Sequence, residues 1–333
     1  MKTPVGEVPR VMRSLRRADV LGRWRVRWRI GRYDYKVDPG LYALGDPDPD
    51  SPILVTANFK LTFDLVRSSL PGLSAWILVL DTRGINVWCA AGKGTFSTDE
   101  LVARLEFSRL SEIVAHRRVI VPQLGATGVA AHKVRKESGF AVTFGPVRIA
   151  DLPKFIASGM RATPQMRMPT FTFMERLALT PVELVGSLKP ALIALAGFAL
   201  IGLVTIRPLT LVNLSIGLLQ NAGLLLLALL GGTVLTPLLL PWLPFREFAA
   251  KGAIVGAFLA AAATIAAGLP LVRALPMFMA MTTVSSYFAM NFTGSTPFTS
   301  LSGVEREMRC WIPLQAIAAF FAIAVAITGG FFA

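Results

Sequence analysis

Apolar positions along this chain follow three successive patterns: an irregular lead-in, a stretch of alternating strand and helix periods, and a series of long apolar spans. Within residues 1–50, Trp24, Val26, Trp28 and Ile30 alternate with Arg23, Arg25, Arg27 and Arg29. That two-residue period predicts a strand with one apolar and one cationic face. Two readings fit it: contact with anionic lipid headgroups, at about 1 kcal/mol per basic residue, or a solvated face on an edge strand. Asp46-Pro47-Asp48-Pro49-Asp50 then breaks regular structure and marks a boundary.

Residues 51–158 read as an α/β domain. The patterns predict strands at 53–56, 76–80, 118–121 and 140–144, and helices at 61–70, 98–107, 125–137 and 151–157. Ser97 and Glu100 form a capping-box pattern ahead of the second helix. Such alternation implies a Rossmann-like, mostly parallel sheet covered by helices. Ligands of these sheets bind beyond the carboxyl ends of the strands, here residues 56–62, 81–93, 123–128 and 145–150. A linker over 159–186 carries Pro164, Pro169 and Pro181. Five transmembrane helices follow over 187–333, at 188–206, 213–239, 249–269, 272–292 and 311–331. Each reaches the ~20 residues that cross a hydrocarbon core. Gly231-Gly232 predicts a kink or split in the second.

Composition supports the membrane assignment. Of 333 residues 53% are hydrophobic and 16% charged, against about 25% charged in soluble domains. Between Lys189 and Arg246 the one ionisable side chain is Arg207. The net charge is +14, and residues 1–36 alone carry 11 Lys/Arg against 3 Asp/Glu. The basic N-terminus runs into no apolar stretch of the kind a signal peptide needs, so the first half is expected in the cytoplasm and the spans in the inner (cytoplasmic) membrane. Arg246, Lys251, Arg306 and Arg309 on inner loops against Arg207 and Arg273 on outer ones agree with the positive-inside rule. With two cysteines and two histidines, the chain by itself supplies no disulfide framework, four-cysteine zinc site or iron–sulfur cluster. A nucleic-acid partner is not expected, because no recognition module accompanies the basic segment.

The segment Asp81–Thr95 carries the candidate chemistry. It lacks the glycine and Ser/Thr of a P-loop and is too short for a dinucleotide fingerprint. What it offers is one cysteine, Cys89, at the start of a short turn of small residues. A helix N-terminus with Lys93 nearby is expected to lower the thiol pKa. Ala90, Ala91 and Gly92 leave room for a flat, bulky ligand.

Asn86-Val87-Trp88-Cys89-Ala90-Ala91-Gly92-Lys93 resembles the cap-helix signature of the HgcA family, the membrane-bound corrinoid proteins of microbial mercury methylation. The match is complete over these eight residues, and the plan is also shared: a corrinoid-binding α/β domain followed by five transmembrane helices. The soluble half is similar to corrinoid iron–sulfur protein subunits of the acetyl-CoA pathway, whose cluster needs four cysteines that this chain lacks. The resemblance implies a base-off corrinoid (cobalamin-type) whose cobalt takes Cys89 as lower axial ligand. It implies an enzyme, a corrinoid-dependent methyltransferase that passes a cobalt-borne methyl group to Hg(II) and forms methylmercury. The methyl donor would come from a folate pathway. Electrons would come from a ferredoxin partner (HgcB-type) with two 4Fe–4S clusters. His116 and His132 lack the Asp and Gly of the usual histidine-ligating motif.

Fold and resemblance together nominate Thr56, Thr62, Asn86, Val87, Trp88, Ala90, Ala91, Gly92, Lys93, Gly125, Thr127, Gly128 and Ala150 as corrinoid contacts. Trp88 fits equally a core aromatic, and Lys93 a solvated charge. Cys310, beside Trp311, reads as a packing thiol in preference to a mercury relay, and Met277, Met279 and Met281 as packing. Gln220-Asn221 in the second span reads as inter-helix glue. Two further functions fit parts of the pattern: a corrinoid methyl carrier for another acceptor, and a transporter or sensor with a ligand-binding cytoplasmic domain.

Overall fold

A computed structural model describes residues 1–206, 208–296 and 301–332; Arg207 lies outside them. The chain divides into two compact units, Met1–Thr170 and Phe171–Ala333.

Unit 1 begins with a small hairpin, β1 (Lys2–Thr3) and β2 (Gly6–Glu7), then β3 (Arg10–Val11), α1 (Arg17–Arg27) and β4 (Gly40–Leu44). There follow β5 (Ile53–Ala57), α2 (Lys60–Ser68), β6 (Ala75–Leu80), α3 (Val87–Gly92), α4 (Thr98–Phe107), β7 (Arg118–Val121), α5 (Ala131–Ser138), β8 (Ala141–Phe144), α6 (Leu152–Ala157) and α7 (Pro164–Arg167). The sheet order is β3-β4-β6-β5-β7-β8. Its strands pair in parallel except β4 with β6, where Gly40 lies opposite Val79.

Alternation along the strands builds two cores. Trp76, Leu78 and Leu80 point to one face with Ile53 and Val55, where α3, α4 and α5 cover them through Ala90, Leu101 and Val134. Ala75, Ile77 and Val79 point to the other with Leu54, against Phe63 and Val66 of α2 and Leu152 and Phe155 of α6. Each such fully buried side chain is worth about 1.5–3 kcal/mol, so both faces hold the sheet rigid beneath its loops. From β5 the chain runs to β6 on one side, and later to β7 on the other. The carboxyl ends of β5 and β7 therefore flank a topological switch point, where open α/β sheets take ligands.

The structure corrects two readings. The Trp/Arg alternation at 23–30 is not a strand; most of it lies in α1. The Asp19 carboxylate accepts from the Arg16 backbone N–H at 2.9 Å and pairs with Lys60 and Arg67, so N-terminal capping and tertiary pairing outweigh the local period. The helix expected over 125–137 starts only at Ala131, because Gln123–Gly125 forms a 3-10 turn. Gly125 and Gly128 pack so closely on Phe96 that a side chain at either would collide with it.

Unit 2 comprises α8 (Phe173–Gly186), α9 (Leu188–Thr205), α10 (Leu211–Leu230), α11 (Thr236–Leu239), α12 (Phe248–Ala266), α13 (Leu271–Asn291) and α14 (Leu301–Phe332). Helix α8 lies within the segment read as a linker, and starts at a capping box in which Thr172 N–H donates to Glu175 at 2.7 Å. Gly231–Leu235 forms a π-turn joining α10 to α11 where the paired glycines predicted a break. The Thr236 hydroxyl donates to the Gly231 carbonyl there at 2.8 Å.

Among the described residues four helical segments are long and apolar enough to cross a membrane: Leu188–Thr205, Leu211–Leu239, Phe248–Ala266 and Ser302–Gly329. The expected fourth span is present as α13, a helix of 21 residues, but it is not among those four. It packs against α9, α10, α12 and α14, and its Ser285 and Ser286 hydroxyls donate to the Gly252 and Ala249 carbonyls. A helix enclosed by neighbours satisfies polar groups internally and needs no lipid-compatible surface. Asn221 likewise bridges helices, donating to the Phe198 carbonyl at 3.0 Å and accepting from Arg273 at 3.2 Å. Met277 and Met281 are fully buried. Cys310 is exposed.

Candidate functional site

At the carboxyl ends of β5, β7 and β8 a cleft of about 320 Å³ opens between the sheet, α2 and α6, with the start of α3 beside it. Leu54, Val66, Ile120 and Leu152 give it apolar walls, and Pro122, Gly145 and Pro146 form its rim. Of the residues nominated from sequence, Thr56, Thr62, Asn86, Val87 and Trp88 line this cleft. Thr56 is fully buried, and its Oγ1 has no hydrogen-bond partner among the described residues. An unmet hydroxyl costs about 1–3 kcal/mol, a deficit that a bound group's amide would remove.

Cys89 occupies the third position of α3, half-buried and adjacent to the lining residues Val87 and Trp88. Asn86 caps the helix: its side chain accepts from the Cys89 backbone N–H at 2.9 Å. Burial pushes the thiol pKa above its ordinary value, while Lys93, the Asn86 side chain and Arg32 pull it down. The net direction is upward, which corrects the expected lowering. A helix of six residues has a weak dipole, and desolvation of the thiolate outweighs it and one exposed lysine.

The other nominated residues are placed differently. Ala90 and Ala91 point into the core beneath α3. Gly92, Lys93, Thr127 and Ala150 are exposed. Gly125 and Gly128 do not line the cleft; they pack on Phe96, and a Cβ at Gly128 would also meet the Ala91 backbone. These glycines therefore seat α3. His116 Nε2 lies 3.0 Å from the Ser51 carbonyl oxygen, away from the cleft residues.

A residue that the sequence places on the rim, between Thr56 and Thr62, organises the approach to α3. Asn58, just past β5, donates to Asp81 at 3.0 Å and accepts from Thr82 N–H, Thr82 Oγ1 and Gly84 N–H. That one amide closes the loop between β6 and the cysteine. The signal was faint: polar residues just after the ends of two adjacent strands. Gly84, at φ 72°, meets the Tyr33 carbonyl so closely that a Cβ would collide with it, tying the N-terminal segment to the same loop. Arg32 stacks on Phe59 at 5.2 Å.

Residues 11–155, within unit 1, match the family described as CO dehydrogenase/acetyl-CoA synthase delta subunit. The chain is similar to the acetyl-CoA decarbonylase/synthase complex subunit gamma of Archaeoglobus fulgidus, 36% identical over 118 residues, or 35% of this chain and 25% of the relative. The subunit gamma of Methanopyrus kandleri is 34% identical over 127 residues, covering 38% and 27%. Subunit gamma 2 of Methanosarcina thermophila is 37% identical over 121 residues, covering 35% and 25%. The chain thus spans about a quarter of the length of these curated relatives.

Proposed function

We propose that unit 1 binds a corrinoid at the carboxyl end of its sheet and that the whole protein is a membrane-anchored methyltransferase with Hg(II) as methyl acceptor. The observation that carries the reading is the position of Cys89: the one cysteine of the unit lies on the short helix bordering a cleft at the switch point, within the eight-residue signature. The chemistry of the site fits the group. Thr56 brings an unmet hydroxyl, the walls are apolar, and a thiolate is a soft donor suited to a transition metal.

A bound corrinoid would supply a cobalt centre able to accept and release a methyl group. Cys89 would hold that metal through sulfur, losing its proton on coordination. The Cys89 thiolate, a stronger electron donor than imidazole, would suit the bound metal to a soft methyl acceptor such as Hg(II). Asn86 fixes the backbone that bears the sulfur, Asn58 fixes the loop leading to it, and Gly125, Gly128 and Phe96 seat the helix from below. Thr56 and Thr62 would hydrogen-bond peripheral amides, and Val87 and Trp88 would exclude water from the cleft.

On this reading a ferredoxin-like partner with two 4Fe–4S clusters supplies electrons, and a folate-linked pathway supplies the methyl group. α13 completes five spans of a multi-pass protein in the cytoplasmic membrane, with unit 1 in the cytoplasm as the inner-loop basic residues favour. The relatives favour a second reading that uses the same residues: a corrinoid methyl carrier serving another acceptor within a multi-subunit assembly.

The test compares methylmercury formation by cells carrying wild-type protein and Cys89→Ala, with membrane insertion verified in both. Loss of product in the variant is expected. Undiminished product would exclude the mercury reading.

A further inference from the structure

Helix α1 is bound to unit 1 by one side and leaves the other uncovered. Asp19 pairs with Lys60 and Arg67, the Tyr35 ring lies against Gly22, and Val26 is 1% exposed. At about 100° per residue these three share one side of the helix. Leu21, Trp24 and Trp28 fall opposite them and are 64%, 59% and 41% exposed. Just beyond the helix Ile30 and Tyr33 extend the exposed apolar surface. Arg17, Arg25 and Arg29 are exposed cations on and beside this face, whereas Arg23 lies toward the inner side and Arg27 is half-buried. The one carboxylate of α1, Asp19, is engaged on the inner side by Lys60 and Arg67.

An apolar stripe with aromatic residues, bordered by arginines, is the pattern of a helix lying in a lipid interface. We propose that this face of α1 docks on an anionic bilayer surface, with Leu21, Trp24 and Trp28 entering the headgroup boundary and the arginines meeting lipid phosphates. Charge selects this occupant. The 11 basic and 3 acidic residues of positions 1–36 would repel a second copy of the same face. The same chain carries, among its described residues, four helices long and apolar enough to cross a membrane, which would keep a bilayer surface near unit 1. Arginines near a negatively charged leaflet are drawn to it, and salt weakens that attraction. The inference is independent of the cofactor reading, since none of these residues lines the cleft.

The test uses the full chain reconstituted in nanodiscs of phosphatidylglycerol or phosphatidylcholine with dibrominated acyl chains. The difference in emission between wild type and a Trp24→Phe/Trp28→Phe variant isolates those two indoles; both are exposed, so folding is not at stake. The expected result is about two-fold or greater quenching of this component in the anionic bilayer over the zwitterionic one. It should be lost near 1 M salt, where screening falls to about 3 Å. An Arg17→Gln/Arg25→Gln/Arg29→Gln variant should lose the lipid dependence. The proposal is overturned if the two indoles stay open to aqueous acrylamide in anionic bilayers. Shielding from both acrylamide and bromolipid would overturn it too, by assigning the face to a protein partner or a second copy.

Discussion

The Asn86 side chain and the Cys89 backbone N–H are joined by a 2.9 Å hydrogen bond, so the residue that caps α3 also positions the thiol, and its side chain partly offsets the upward push of burial on the thiol pKa. Replacing Asn86 with Ala should cost about 1 kcal/mol of stability and raise the thiol pKa further, since the amide is one of the groups that lower it. Asn86→Asp should keep the cap yet raise the pKa by placing a negative charge beside the sulfur. Thermal unfolding and the pH dependence of thiol alkylation measure the two effects separately.

Because burial holds the Cys89 thiol above its ordinary value, the cofactor-free protein carries it protonated at neutral pH. Corrinoid binding through sulfur should then release about one proton at pH 7, and progressively less as the pH rises through the thiol pKa. Lys93→Gln should move that decline to higher pH. Calorimetry in buffers of different ionisation enthalpy counts the protons. Binding with no proton release at pH 7 would place the sulfur outside the coordination shell.

An ion-pair network anchors α1 to α2. Asp64 is fully buried between Arg67 and Lys60, and Asp19 pairs with both cations. Asp64→Ala should destabilise unit 1 by about 1–3 kcal/mol, since Asp19 still pairs with both cations but the buried Arg67 Nε loses its acceptor. Burial alone would raise the Asp19 pKa, but hydrogen bonds from Lys60, the Arg16 N–H and Arg67 hold it well below the usual carboxylate range. Its stabilisation is therefore complete above about pH 3.9, the ordinary aspartate value, and is lost as pH falls toward the lowered one. Acid unfolding of Asp19→Asn should show a flatter pH dependence than wild type below about pH 4.

Gly128 touches the Phe96 carbonyl and the Ala91 backbone with no space for a Cβ. Gly128→Ala should cost about 1–3 kcal/mol by overpacking and tilt α3 from its seat, weakening cofactor retention. Thr127→Ala, one residue away but exposed, should change neither. Chemical denaturation and cofactor content of the purified variants distinguish them.

What could be read ahead of the structure depended on how local its cause was. Helix α4 falls where Ser97, Glu100 and the apolar spacing placed it, and β7 likewise, because each signal lies within its own segment. α1 was misread because the force that makes it a helix is tertiary: Asp19 reaching Lys60 and Arg67, 41 and 48 residues away. The pairing of β4 with β6 across the intervening β5 segment leaves no local trace either. Cys89 stood out through its neighbours, whereas the orphaned Thr56 hydroxyl and the loop-closing Asn58 became visible only once strands far apart in sequence were side by side. Gly125 and Gly128 drew notice as candidate contacts and turned out to hold the helix that carries the thiol.

Ligation of a corrinoid by the Cys89 sulfur in unit 1 can be read from the visible absorption spectrum of the purified chain. After loading with a corrinoid, wild type should retain it and show a base-off spectrum altered by thiolate ligation, and Cys89→Ala should lose that alteration. An identical spectrum in both proteins, or no retained corrinoid in wild type, would exclude ligation by this sulfur.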